Sequence, residues 1–269
     1  MEERDNKTFE DLKKENPWSS LFKHQSYEDI LQHLIDWDYD FVYDKDKDLI
    51  KKHDDDPKIK DDNKKFVLHK LPKPYRGNLK NPKLVILSLN PGFNDRVNRV
   101  LFNMLSHKHQ IDFIELSRRN LMLEDGCRVI TNELDDVLDN GYWTKQLSDI
   151  ADVDENYLDR IGLMQYIPYA SKYFDSWEGE DSLETQKFTR KIIHYLLEET
   201  ATLFLIMRSK ERWEKLIGED VVVKYKNRFL YNKNPRCQKL SEKNLKNEDA
   251  IDEEHKNQFK MIIEALGKE

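Results

Sequence analysis

The run Lys83-Leu-Val-Ile-Leu-Ser-Leu-Asn-Pro-Gly-Phe93 decides the fold. Leu84 to Leu89 is almost unbroken apolar sequence, the pattern of a strand covered on both faces in a parallel sheet. It stops at Asn90-Pro91-Gly92, where Pro91 lacks a backbone donor and Gly92 is free to take unusual dihedrals. A polar residue ahead of a sharp turn, at the carboxyl end of such a strand, stands where open α/β sheets bind their ligands. Asn90 is therefore the first candidate for a working residue.

Working outward, further apolar runs follow: Ile161-Gly-Leu-Met-Gln-Tyr-Ile-Pro168, Thr202-Leu-Phe-Leu-Ile-Met207 and, beyond a short helix, Val221-Val-Val and Arg228-Phe-Leu-Tyr231. Between them lie helical patterns. One runs from about Asn94 to His107 with Val97, Val100, Leu101 and Leu105 on one side. Others continue through Leu123, around Trp143 to Ile150, from about Leu183 to Leu197 and around Lys210 to Leu216. The tail from Asn247 to Leu266 reads as one amphipathic helix striped by Phe259, Ile262, Ile263 and Leu266. Upstream, Pro72, Pro74 and Gly77 make Phe66 to Asn78 an extended, turn-rich approach. Strands alternating with helices predict an α/β fold: three layers, αβα, around a mainly parallel, roughly four-stranded central sheet.

Residues 66–269 are expected to form that domain, with 1–65 a helical and charged extension packed on it or flanking it. Ser26-Tyr-Glu-Asp29 has the form of a capping box opening a helix with Ile30, Leu31, Leu34 and Ile35 as its apolar stripe. From Asp38 to Lys65 the chain is dense in Asp and Lys, which reads as a solvated surface segment. Asp54-Asp55-Asp56 lacks the spaced oxygen ligands of a cation loop.

The 269 residues carry a net charge of -7, which argues against wholesale adhesion to nucleic acid or anionic membrane but leaves room for a local basic patch. The two cysteines, Cys127 and Cys237, are too few for a disulfide framework and suit a reducing cytoplasm. No apolar run reaches the ~20 residues that span a bilayer, and the charged first residues do not form a signal segment. A cytoplasmic protein without a membrane partner is expected; oligomeric state is not legible. His107-Lys-His109 lacks a third ligand, so no metal site is expected.

Two segments together carry a resemblance. Leu89-Asn-Pro-Gly-Phe93 resembles the first motif of the uracil-DNA glycosylase superfamily, closest to the mismatch-specific and single-strand-selective branches. Asn234-Pro-Arg-Cys-Gln-Lys-Leu-Ser241 resembles the second. The order and the strand-then-loop settings agree across residues ~66–245. The resemblance implies a DNA glycosylase-like enzyme, needing no metal or organic cofactor, that hydrolyses the N-glycosidic bond of uracil or another modified base flipped out of single- or double-stranded DNA. It implies that Asn90 holds the attacking water and that Asn234, with Pro235, Arg236 and Cys237, engages the DNA and supports the flipped state. Pro91, Gly92 and Phe93 would border the base. Phe102, about a dozen residues on, is either a stacking aromatic or core. Gln165 is either a satisfied core amide or the reader of the base.

This chain departs from the family pattern at Ser88, where a Gly is usual, and at Arg236-Cys237, which replace a small Ser-Gly. Arg236 could grip a phosphate, fill the gap left by a flipped base, or sit in solvent. Arg76, Lys233 and Lys239 are candidate contacts to the DNA backbone, within two basic clusters. One runs from Lys70 and Lys73 to Lys83, the other from Lys224 through Arg228 to Lys243. Arg208 follows the third run and is a candidate to face the cleft, with Ser209 as cap of the next helix. Two other readings stay open: a non-catalytic nucleic-acid- or protein-binding module on the same fold, and a small-molecule enzyme acting on nucleosides.

Overall fold

The computed structural model describes residues 8–23, 25–130, 141–151, 155–234, 237–245 and 256–267. Five strands form one sheet in the order β1-β3-β2-β4-β5: β1 (Tyr75–Gly77), β2 (Leu84–Ser88), β3 (Ile161–Gln165), β4 (Leu203–Ile206) and β5 (Phe229–Tyr231). The β2–β3, β2–β4 and β4–β5 pairs are parallel, and β1 alone runs antiparallel, along the outer edge of β3. The runs at Leu84, Ile161, Thr202 and Arg228 supply the four expected parallel strands, whereas Val221-Val-Val lies in a short helix, Glu219–Lys224. The fifth is the extended approach at Pro74-Tyr-Arg-Gly77, too short for periodicity to reveal it. It lies so close to β3 that a Cβ on Gly162 would sit 2.5 Å from the Asn78 carbonyl oxygen.

The main helices are α1 (Phe9–Lys14), α2 (Tyr27–Asp36), α3 (Lys47–Asp54), α4 (His107–Leu121), α5 (Tyr142–Ala151), α6 (Glu184–Glu199), α7 (Lys210–Ile217) and α8 (Gln258–Ala265). Alternation along the strands builds two cores. Val85 and Leu87, Met164, Phe204 and Ile206 point to one face, beneath α6 and α7. Leu84 and Ile86, Leu163 and Leu205 point to the other, beneath α5 and α8. These are the three layers of an α/β fold, and the doubly covered strands explain their unbroken apolar runs. In the tail, Ile262 and Leu266 are buried with Phe259 and Ile263 against them; residues 246–255 lie outside the described part of that expected helix.

Residues 8–65 are continuous with this core: Phe9, Leu12, Trp18, Leu21, Val42 and Ile50 belong to the same buried cluster as Val85 and Leu87. The capping box at Ser26 forms, with the Ser26 hydroxyl accepting from Asp29 N and the Asp29 carboxylate accepting from Ser26 N. The solvated reading of 38–65 is corrected at its centre. Asp46 is fully buried and accepts from Tyr169 Oη at 2.9 Å, Thr185 Oγ1 at 2.6 Å and Glu184 N at 2.7 Å, tying this segment to the start of α6. Composition showed the charges but not that one of them turns inward.

A second correction concerns residues 94–107. Arg96–Leu101 is a π-helix, followed by a short turn of α-helix at Phe102–Met104. Val100 is 47% exposed and Leu101 and Leu105 are half-buried, so the stripe is only partly covered; the Val97 side chain lies outside the described part. Single π turns recur at functional sites, because widening the helix displaces side chains from their regular face.

Replacing Asp46 by Ala would strand two hydroxyls and one amide in a dry interior. The expected loss is about 3 kcal/mol of unfolding free energy, read from denaturant midpoints. Burial raises the Asp46 carboxyl above its ordinary value. Its contribution is therefore fullest below the unfolded carboxylate range and declines as pH rises through the raised value. An Asp46→Asn variant should lack that pH dependence.

Candidate functional site

A cavity of about 660 Å³ opens at the carboxyl ends of the parallel strands. Every parallel strand contributes to it at or beyond its carboxyl end: Ser88 to Asn94 from β2, Gln165 and Ser171 to Phe174 from β3, Arg208 beyond β4 and Gln238 beyond β5. The approach segment around Lys70 to Arg76 and faces of α4 and α5 close the sides. The position is the one that strand topology dictates for an open α/β sheet.

The backbone around Asn90 is held by pairing that outlasts the strands. Tyr166 N donates to Ser88 O at 3.0 Å and Ile167 N to Leu89 O at 2.8 Å. Ser171 N then donates to Pro91 O at 3.3 Å and Phe93 N to Ser171 O at 3.2 Å. Trp213 Nε1 adds a bond to Ser88 O at 3.0 Å. The Asn90 amide is oriented within this frame: Nδ2 donates to Ser171 Oγ at 2.9 Å and to Pro91 O at 3.2 Å. A carbonyl can only accept, so Pro91 O fixes which end of the amide is nitrogen and leaves Oδ1 as an acceptor without a partner among the described residues. Gly92 is corrected from expectation. It does not take a left-handed φ, and a Cβ placed on it would meet nothing within 4 Å. Neither backbone nor neighbours demand a glycine there; its effect is to leave the space beside Asn90 open.

Gln165 is 6% exposed, lines the cavity, and its buried Oε1 has no hydrogen-bond partner among the described residues. Of the two sequence readings, the satisfied core amide is therefore not the one found. An orphaned buried acceptor costs about 1–3 kcal/mol unless something supplies a donor. Phe93 lies on the wall with its ring centroid 6.0 Å from that of Trp37. Phe102 does not line this cavity: it is buried against Phe113, with ring centroids 5.5 Å apart, in a cluster with Ile30 and Leu34.

The second motif divides. Asn234 and Cys237 lie on the same edge of the sheet, beyond β5, but neither lines the cavity; Pro235 and Arg236 lie outside the described residues. Asn234 is exposed and its carbonyl accepts from Cys237 N at 2.9 Å, closing a turn, while Asn244 Nδ2 donates to Cys237 Sγ at 3.0 Å. That bond, helped by nearby lysines, lowers the Cys237 thiol below its ordinary range. The residue of this segment that does reach the cavity is Gln238. With its amide oxygen turned to the Arg208 guanidinium, its nitrogen faces the Tyr142 hydroxyl. Burial pushes that hydroxyl up to about 12, with Arg208 opposing the shift. Arg208 thus reaches the cleft as expected. Ser209, however, is in the left-handed region at φ 58° and makes no side-chain cap.

The lining is cationic. Lys70, Lys73, Arg76, Lys145, Lys172 and Arg208 contribute to it, and no Asp, Glu or His does so among the described residues. For a chain of net charge -7 this is a local inversion of sign. Arg76 is buried on the cavity wall and not on an outer rim. The other expected basic strip is partly structural. Arg228 donates to the Leu196, Leu197 and Thr202 carbonyls at 2.8–3.0 Å, and Lys239 pairs with Asp149 at 2.5 Å. Lys233 is exposed beyond β5. His107 bonds Glu28 at 2.9 Å, and no group of three metal-ligating side chains occurs among the described residues. No helix among them is long and apolar enough to cross a membrane.

Sequence reasoning did not single out Ser171, Gln238, Tyr142 or the two lysines Lys145 and Lys172 as parts of one site. They come from loops and helices that converge only in space, and only Gln238 lies within a quoted motif. Set against models of known families, curated proteins and solved structures, the chain matches none of them.

If the Gln165 amide is kept for a ligand and not for the fold, removing it should help the fold. Gln165→Leu is expected to raise unfolding free energy by about 1 kcal/mol, measured by denaturant titration. A loss of stability in that variant would return Gln165 to the core.

Proposed function

We propose that this protein is a DNA glycosylase of the uracil-DNA glycosylase type, hydrolysing the bond between deoxyribose and a flipped-out uracil or related modified base. The observation that carries the reading is the shared cavity of Asn90 and Gln165. Among the described residues, one amide has an unpartnered acceptor beside an open glycine and the other a buried acceptor without a donor on the same cavity wall, and both sit within a cationic lining.

Cleavage of an N-glycosidic bond leaves positive charge on the sugar and negative charge on the departing base. With no carboxylate or imidazole among the described lining residues, water activation by a strong base of that kind is not what the site offers. Positioning and electrostatics are. Asn90 Oδ1 would accept from the attacking water and hold it toward the sugar carbon. Gln165 Oε1 would accept a ring N–H of the base, a donor that uracil has and that would end its orphaned state. Phe93 would border the base face. The cationic wall would stabilise the leaving anion and hold flanking phosphates. Ser171 is a positioning residue, since it fixes the Asn90 amide.

The test is incubation with single- and double-stranded oligonucleotides carrying uracil and a panel of modified bases, with abasic products revealed by alkaline cleavage. Asn90→Ala is expected to lower single-turnover excision by about a hundredfold while leaving DNA binding nearly intact. Binding should weaken steeply with salt, as phosphate contacts require. If the panel is bound but never cleaved, the same cavity serves a binding module. If free nucleosides are cleaved with no dependence on salt, it serves a small-molecule enzyme.

A further inference from the structure

One side chain of that basic wall differs from the rest in its surroundings. Lys70 stands in the extended segment that Pro72 and Pro74 stiffen before β1, on the wall that also holds Asn90. Its Nζ lies 6.0 Å from the centroid of the Phe93 ring, three residues from Asn90. Many lysines of this chain rest on a carboxylate: Lys64 on Asp175, Lys80 on Asp125, Lys215 on Asp181. Lys70 has no such partner among the described residues, and its charged neighbour is another lysine, Lys73. Lys73 Nζ lies 5.3 Å from the centroid of the Phe113 ring, itself on the cavity wall.

A half-buried amine facing an apolar ring, beside a second cation and with no carboxylate against it, is the arrangement that turns lysine into a nucleophile toward carbonyl carbon. Desolvation, with Lys73 adding to it, holds the Lys70 ammonium well below the ordinary lysine range. The product of base excision is a deoxyribose whose ring-opened form presents an aldehyde at C1′, and it is generated in this cavity.

We propose that Lys70 attacks that aldehyde and makes the protein an abasic-site lyase as well as a glycosylase, an inference that rests on the base-excision reading for its substrate. The neutral Nζ adds to C1′ and the carbinolamine loses water to give an iminium. The iminium acidifies C2′–H, whose proton passes to solvent. The resulting electron pair forms the C2′–C3′ double bond as the C3′–O bond breaks, and the 3′ phosphate departs with the bonding electrons. Water then hydrolyses the imine, releasing the unsaturated aldehyde and restoring Lys70. No oxidant, reductant or metal enters the balance.

The experiment supplies an oligonucleotide with a preformed abasic site, so that excision is not needed. Borohydride then reduces any imine to a stable secondary amine. Wild type is expected to give a protein–DNA adduct that peptide mapping assigns to Lys70, and, without borohydride, a nick 3′ to the site. Both should be lost in Lys70→Met and in Lys70→Arg, and retained in Lys187→Met, a surface control. Lys70→Arg keeps the positive charge and should still bind DNA containing a tetrahydrofuran abasic analogue, which separates lost chemistry from lost folding. The proposal is overturned if wild type binds abasic DNA without forming the adduct, or if the Lys70 variants are trapped as efficiently as wild type. Lys70-dependent trapping without excision of any base in the oligonucleotide panel would uphold the lyase and sink only the glycosylase reading.

Discussion

The pairing of β2 with β3 does not end where the strands end. Backbone bonds from Tyr166 to Ser88 and from Ile167 to Leu89 carry the parallel register forward, and the segment around Ser171 then grips the backbone on both sides of Gly92. A loop carrying Pro91 and Gly92 would otherwise be loosely held, since Pro donates no bond and Gly carries no side chain to pack. Because the neighbouring chain supplies the missing constraints, Asn90 is presented at a fixed height with its amide in one orientation. The wall of the cavity around Asn90 depends on that prolonged ladder. Without it Asn90 would be a turn residue like any other.

The cavity departs from the rest of the molecule in two ways that share one cause. Its lining is basic in an acidic protein, and it holds a buried acceptor with no donor among the described residues. Each costs folding free energy: like charges repel across a small space, and an orphaned carbonyl-type oxygen forfeits its water. The nucleotide of the proposed reaction would bring both a negative charge and a ring N–H donor. The non-glycine left-handed residue Ser209, directly after Arg208, is a further local strain at the same rim.

Much of the architecture was legible beforehand because it rests on periodicity. The four parallel strands, the helices between them and the capping box at Ser26 each follow from a local pattern with a local physical cause. What escaped was decided by partners distant in sequence. The edge strand at Tyr75–Gly77 is three residues long and exists because β3 offers an open edge. Asp46 looked like one of many surface charges until Tyr169, Thr185 and Glu184 closed over it. Spacing left Phe102 as either a stacking aromatic or core, and packing with Phe113 keeps it out of the cavity, whose wall Phe93 lines.

The sequence by itself determined that a doubly covered parallel sheet would present Asn90 at a strand's carboxyl end, because an apolar run broken by Asn-Pro-Gly permits little else. Only the tertiary structure decided which side chains share the space in front of Asn90. Gln165, Ser171, Arg208, Gln238 and Lys70 belong to segments up to 168 positions apart, and Asn234, which the motif favoured, stands outside the cavity. The physical reason is that a cavity is made where several strand ends and loops meet. Its chemistry is therefore a property of convergence, which local pattern does not encode.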